Sequence, residues 1–205
     1  MPTLRIRRLF LLSPAKVSGA RAGLLLNPDA PFALARQFHR VGLTLAEVFS
    51  FASGLYFRGK ITYARRFANV EAGDVIRVIT TNAGLLDPLT HLTPESLRAF
   101  GESEIDEGNP HYAQPLHRDA KILAENISAD GDAILLGSIA TAKYREVLLE
   151  AFGKRLLFPT DFVGRGDMSR GGLLLRAARA GVELPYSPVL GAMLKGKRAP
   201  RISNM

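Results

Sequence analysis

The chain has 205 residues, 47% hydrophobic and 22% charged. That is enough apolar side chain for one well-filled core and too little chain for two full-sized domains. It holds no cysteine, which excludes disulfides, thiolate chemistry and cysteine-based zinc sites.

The formal net charge is +8, and it is uneven. Lys and Arg outnumber Asp and Glu by 12 to 4 over residues 1–80 and by 10 to 3 over residues 151–205, whereas residues 81–150 hold 5 against 12. Basic ends around an acidic middle suit a polyanionic partner held on one positive face. A basic surface with no partner is the alternative.

Residues 5–12 superficially resemble a signal peptide, but the apolar run 9–12 is too short for a signal core or a membrane span. It reads as the first buried strand of a cytoplasmic protein, ended by Ser13-Pro14. The spacing of apolar residues predicts a helix over 32–41. Residues 45–51 are apolar up to the break at Ser53-Gly54, and 56–67 are again helical in pattern. A second strand, rich in β-branched residues, is predicted at 75–80, with turns at 82–84 and 87–88. Thr93-Pro94-Glu95-Ser96 has the form of a helix start. Residues 102–109 form an acidic loop. A helix at 116–126, a strand at 133–136, a helix at 139–152 and a strand at 156–158 follow. Strands alternating with helices predict an α/β three-layer sandwich with a largely parallel central sheet. One domain is expected over 1–194, followed by a basic, unstructured tail at 195–205.

Ligands of such sheets bind beyond the carboxyl ends of the strands. Ser13, Asn82, Ser138 and Asp161 all stand at predicted strand ends. Ser13 and Lys16 offer a hydroxyl and an ammonium to a phosphate, or form a turn with a solvated lysine. Ser53, Tyr56, Arg58 and Lys60 combine an aromatic face with cations, as in sites that stack bases and hold phosphates. The alternative is a helix start whose aromatics are core. Asn82 and Asp87 offer an amide and a carboxylate, or merely connect strand to helix. Ser138 with Lys143 resembles part of a phosphate loop without its full spacing, and a plain strand-to-helix turn is the better reading of the pair alone.

The densest motif is the run 163–172, Val-Gly-Arg-Gly-Asp-Met-Ser-Arg-Gly-Gly. Glycines leave backbone N–H groups bare at what reads as a helix start, and such a place favours anions. Arg165 and Arg170 suit forked contacts with phosphate oxygens. Asp167 or Ser169 is the expected helix cap. A glycine-rich hinge with surface arginines is the alternative. His39, His91, His111 and His117 lack metal-ligand spacing, so neither a metal nor another cofactor is expected.

Three segments, in this order, resemble the bacterial peroxide-stress protein family (YaaA-like): 12–16 (Leu-Ser-Pro-Ala-Lys), 53–56 (Ser-Gly-Leu-Tyr) and 165–170 (Arg-Gly-Asp-Met-Ser-Arg). Residues 55–64 and 84–88 also look like a related group of α/β domains, and 134–140 is more weakly similar to a strand-turn-helix of the uracil-DNA glycosylase type. The resemblance implies an α/β fold, DNA binding and a role in limiting oxidative DNA damage. The first functional expectation is therefore a DNA- or nucleotide-binding protein, with Lys16, Arg58, Lys60, Arg165 and Arg170 on phosphates and Tyr56 as a stacking platform. The second is an enzyme acting on the N-glycosyl bond of a nucleotide or damaged base, with Asp161 or Asp87 as acid/base. A pocket for a small phosphorylated metabolite is a third.

Overall fold

The computed structural model describes residues 5–140, 142–194 and 196. The architecture is the expected α/β sandwich. Strand β1 (Ile6–Leu12) lies inside a six-stranded sheet, flanked by β3 (Val75–Ile79) and β6 (Ile127–Leu136), both parallel to it. Leu9, Phe10, Leu11 and Leu12 are wholly buried, because a central parallel strand is covered on both faces. Strand β7 (Leu156–Pro159) extends the parallel set beyond β6. Two short antiparallel strands, β4 (Leu85–Leu86) and β8 (Tyr186–Pro188), close the edges, giving the order β4-β3-β1-β6-β7-β8. A separate two-stranded ladder joins β2 (Leu43–Thr44) to β5 (His91–Leu92).

The helices form two layers. Between β1 and β3 come α1 (Ala20–Leu26), α2 (Ala33–Val41), α3 (Leu45–Ser53) and α4 (Leu55–Phe67). Between β3 and β6 come α5 (Pro94–Glu102) and α6 (Pro110–Asn126); α7 (Ala142–Phe152) follows β6 and α8 (Asp167–Ala180) follows β7. Helix α4 packs on α3 and α8, and α6 packs on α7. Right-handed crossovers leftward from β1 to β3 and rightward from β6 to β7 put those two groups on opposite faces.

Most boundaries follow local chemistry. Thr44 caps α3 in a reciprocal capping box with Glu47, and Gly54, at φ +63°, ends that helix and opens α4. Thr93 caps α5 as predicted. Other boundaries differ from expectation. Helix α6 starts at Pro110, because Asn109 caps it and a buried stripe of Tyr112, Leu116 and Ala120 continues through Pro115. Strand β6 starts at Ile127, since Ile127 pairs with Ile6 before a register shift and pairing with β1 resumes at Asp132. Helix α7 starts at Ala142. Of the tail at 195–205, only Gly196 lies within the described residues. No helix among the described residues is long and apolar enough to cross a membrane.

Candidate functional site

The four parallel strands end on one edge of the sheet. Along it stand, in order, the turns that carry Asn82, Ser13, Ser138 and Asp161. The chain leaves β1 toward β3 and then returns past it to β6. The crevice between β1 and β6 is thus the topological switch point, where α/β sheets hold ligands. Ser13 and Gly137-Ser138 are its two lips.

Helix α4 brings Lys60 beneath Ser13. The Lys60 side chain is completely buried. Its Nζ lies 2.8 Å from the Ser13 hydroxyl and also hydrogen-bonds the Ser13 carbonyl. The Tyr56 ring, one helical turn away, sits 4.4 Å from Nζ, and the Phe57 ring 5.0 Å. Among the described residues no carboxylate lies within ion-pair distance of Lys60. Burial therefore drives its pKa down to about 7, with Asp167 opposing the shift and Arg170 adding to it.

Helix α8 supplies the second cation. Arg170 is 9% exposed, donates through Nε to the Phe162 carbonyl at 3.2 Å and pairs with Asp167 at 3.2 Å. Helices α4 and α8 approach at two glycines. A Cβ on Gly59 would lie 2.7 Å from the Gly171 carbonyl oxygen, and one on Gly171 would lie 2.8 Å from that of Leu55. This contact is why Tyr56, Lys60 and Arg170 are buried. It also sets the two N-terminal turns side by side, so that Leu55 and Met168 line one open cleft.

That cleft, of about 1020 Å³, is lined by Arg21, Ser53, Gly54, Leu55, Arg58 and Met168 among others. A second, of about 540 Å³, lies between α6 and α7 among mixed charges and does not touch the switch point.

Several expectations are corrected. Tyr56 is not a free stacking platform: it is 7% exposed, and its hydroxyl is buried with no hydrogen-bond partner among the described residues. Burial pushes its pKa up, against the pull of the Arg170 guanidinium. Lys60 and Arg170 are buried, where a phosphate contact reads more simply as exposed. Gly166, not Asp167 or Ser169, is the N-cap of α8; Asp167 is its first residue, and Ser169 faces Arg165 at 3.4 Å. Arg165 also donates to the Asp161 carbonyl at 2.8 Å. The Asn82 amide donates to the Ala99 carbonyl at 2.9 Å, tying its turn to α5. Asp87 stands apart from the crevice, because β4 runs back along β3; it pairs with Arg77 at 3.0 Å and accepts from the Leu89 N–H at 2.8 Å. Asp161, Lys16, Arg58 and Lys143 are exposed, and Ser53 is partly buried. The Ser138 hydroxyl accepts from the Ala140 N–H at 3.3 Å.

Tyr144 escapes sequence reasoning. Its hydroxyl approaches Ser13 across Gly137: a Cβ on Gly137 would sit 2.9 Å from the Ser13 Cβ and 3.0 Å from the Tyr144 hydroxyl. Burial raises the Tyr144 pKa, while the Ser13 side chain and the Ser138 backbone lower it. The glycine at a strand end, followed by an aromatic residue in the next helix, is the signal that points to it. Among the described residues no group of three or more His, Asp or Glu is placed to hold a metal. No family model, no curated protein and no solved structure matches the chain.

Proposed function

We propose that this protein binds the phosphate groups of a nucleic acid or nucleotide at the carboxyl edge of its sheet. One observation carries the reading: Lys60 and Arg170 are both buried beside the adjoining N-termini of α4 and α8, with Asp167 the one carboxylate paired there among the described residues. Two buried cations and two positive helix ends leave a local surplus of positive charge, which an anion relieves. Lys16, Arg58 and Lys143, all exposed, supply outer contacts to a longer polyanion. The resemblance to the peroxide-stress family points to DNA as that polyanion.

The test is the salt dependence of affinity for a labelled DNA duplex and single strand. On duplex DNA each neutralised phosphate adds roughly −0.9 to the log–log slope. Arg58→Ala and Lys16→Ala should each flatten that slope by about one unit. A salt-independent affinity contradicts the proposal.

A second reading, an enzyme acting on an N-glycosyl bond, is favoured by an exposed carboxylate, Asp161, at the same carboxyl edge of the sheet as Ser13. Asp161, two strands from Ser13 along the same edge, is its acid/base candidate. Base release from damaged DNA or free nucleosides, abolished in Asp161→Asn, supports this reading; no turnover across a broad substrate panel removes it.

A further inference from the structure

Lys60 is an unusual core residue. Among the described residues its two hydrogen bonds both go to Ser13. No ion pair holds it among the described residues, and a methionine of similar length would fill the space without the cost of desolvating a charge. Ser13 keeps a small exposed surface at the switch point, 5%, whereas Lys60 has none. Ser13 stands at the strand end beside the crevice, and the amine holds its hydroxyl from the buried side. Tyr144 closes the other side.

We propose that Ser13 is a nucleophile, that Lys60 is its general base, and that the electrophile is the phosphorus of a phosphoester. The proposal rests on the anion-binding reading above for its substrate class, though not for the dyad itself. In its neutral form Lys60 takes the Ser13 hydroxyl proton across the 2.8 Å contact as Oγ bonds to phosphorus. The bond from phosphorus to the leaving oxygen breaks, and Lys60 returns its proton to that oxygen. Water then attacks the phosphoserine, again giving a proton to Lys60. The Oγ–phosphorus bond breaks and Oγ takes that proton back. The sum is an ester plus water giving an alcohol plus a phosphate. Arg170 and the N-termini of α4 and α8 are the nearby positive groups that favour the charge on the transferring group. The Tyr144 hydroxyl positions Oγ. A Lys60 pKa of about 7 fits a base working at neutral pH.

The experiment uses the full chain and a fluorophosphonate, which phosphonylates activated serines with loss of fluoride. Intact mass should rise by one adduct, mapped to Ser13 by fragmentation. The rate should climb with pH to a plateau through a midpoint near 7. Ser13→Ala should lose the adduct. Lys60→Met should slow labelling by about 100-fold or more, and Lys60→Arg, which keeps a charge but cannot act as a base, should slow it equally. Circular dichroism checks that each variant is folded. An unlabelled wild-type chain, or an adduct on another residue, overturns the proposal. Inorganic phosphate separates the two claims. Ser13 labelling that phosphate does not slow leaves the nucleophile standing without the anion site. A phosphate-raised melting temperature with no adduct does the reverse, and overturns the nucleophile.

Discussion

Gly59 and Gly171 face each other across α4 and α8, each leaving no room for a Cβ before the partner helix's backbone. Both lie in helices and neither has a positive φ, so the demand is for space and not for conformation. Gly171→Ala gains about 1 kcal/mol of helix propensity but drives its methyl against the Leu55 carbonyl and the Tyr56 Cα at 2.8 and 2.9 Å. The net result should be a loss of roughly 1–3 kcal/mol in denaturant unfolding. Gly172→Ala is the control. Its methyl meets Arg176 at an ordinary 3.5 Å, so it should stabilise by up to about 1 kcal/mol.

Lys60 makes stability depend on pH in a definite direction. Its pKa falls from 10.5 in the unfolded chain to about 7 when folded. Between those values the unfolded state binds more protons, so this residue's contribution to stability rises with pH across that window. The total is on the order of 4 kcal/mol. The wild-type chain should gain stability relative to Lys60→Met between about pH 6.5 and pH 9.5, and below pH 7 the variant should be the more stable of the two. Unfolding free energies of both chains at the two pH values check this. Parallel pH profiles for the two chains run against it.

Gly137→Ala should damage the switch point locally. The added methyl meets the Ser13 Cβ and the Tyr144 hydroxyl, at a cost of about 1–2 kcal/mol. Tyr144→Phe in the same chain removes the blocking hydroxyl, so the double variant should recover part of that loss. A double-mutant cycle by thermal unfolding gives the coupling; strictly additive effects would show that the two groups do not meet.

The sheet was largely legible because buried parallel strands are short unbroken apolar runs. Leu9–Leu12 and Val75–Ile79 announce themselves, and Ser13 and Ser138 fall just past strand ends in sequence and structure alike. The polar half of β6 gives no such signal: residues 128–131 look like loop, and what marks the strand's start is the pairing of Ile127 with Ile6 and of Asp132 with Arg8 on either side of them. The edge strand β8 and helix α1 were equally silent, being short. Within the site, Tyr56, Lys60 and Arg170 stand out in the sequence, with a core Tyr56 as one of its two readings, but the burial of the two cations does not. Tyr56 and Lys60 lie four residues apart on one face of α4, a spacing that serves a solvated face and a buried one alike. What buries them is the meeting of Gly59 with Gly171, 112 positions later in the chain, a long-range contact that local pattern does not carry.

On the proposed function, the buried charge around Lys60 and Arg170 receives a phosphate. An anion bound beside Lys60 raises its pKa, so binding must take up protons wherever the free amine is mostly neutral. Calorimetry of a nucleoside 5′-monophosphate at about pH 8.5, repeated in buffers of different ionisation enthalpy, counts those protons. Uptake of a fraction of a proton per ligand, which leaves part of the Lys60 population neutral to act as a base and is lost in Lys60→Met, is the predicted result. Binding with no proton uptake, or no binding at all, contradicts the account.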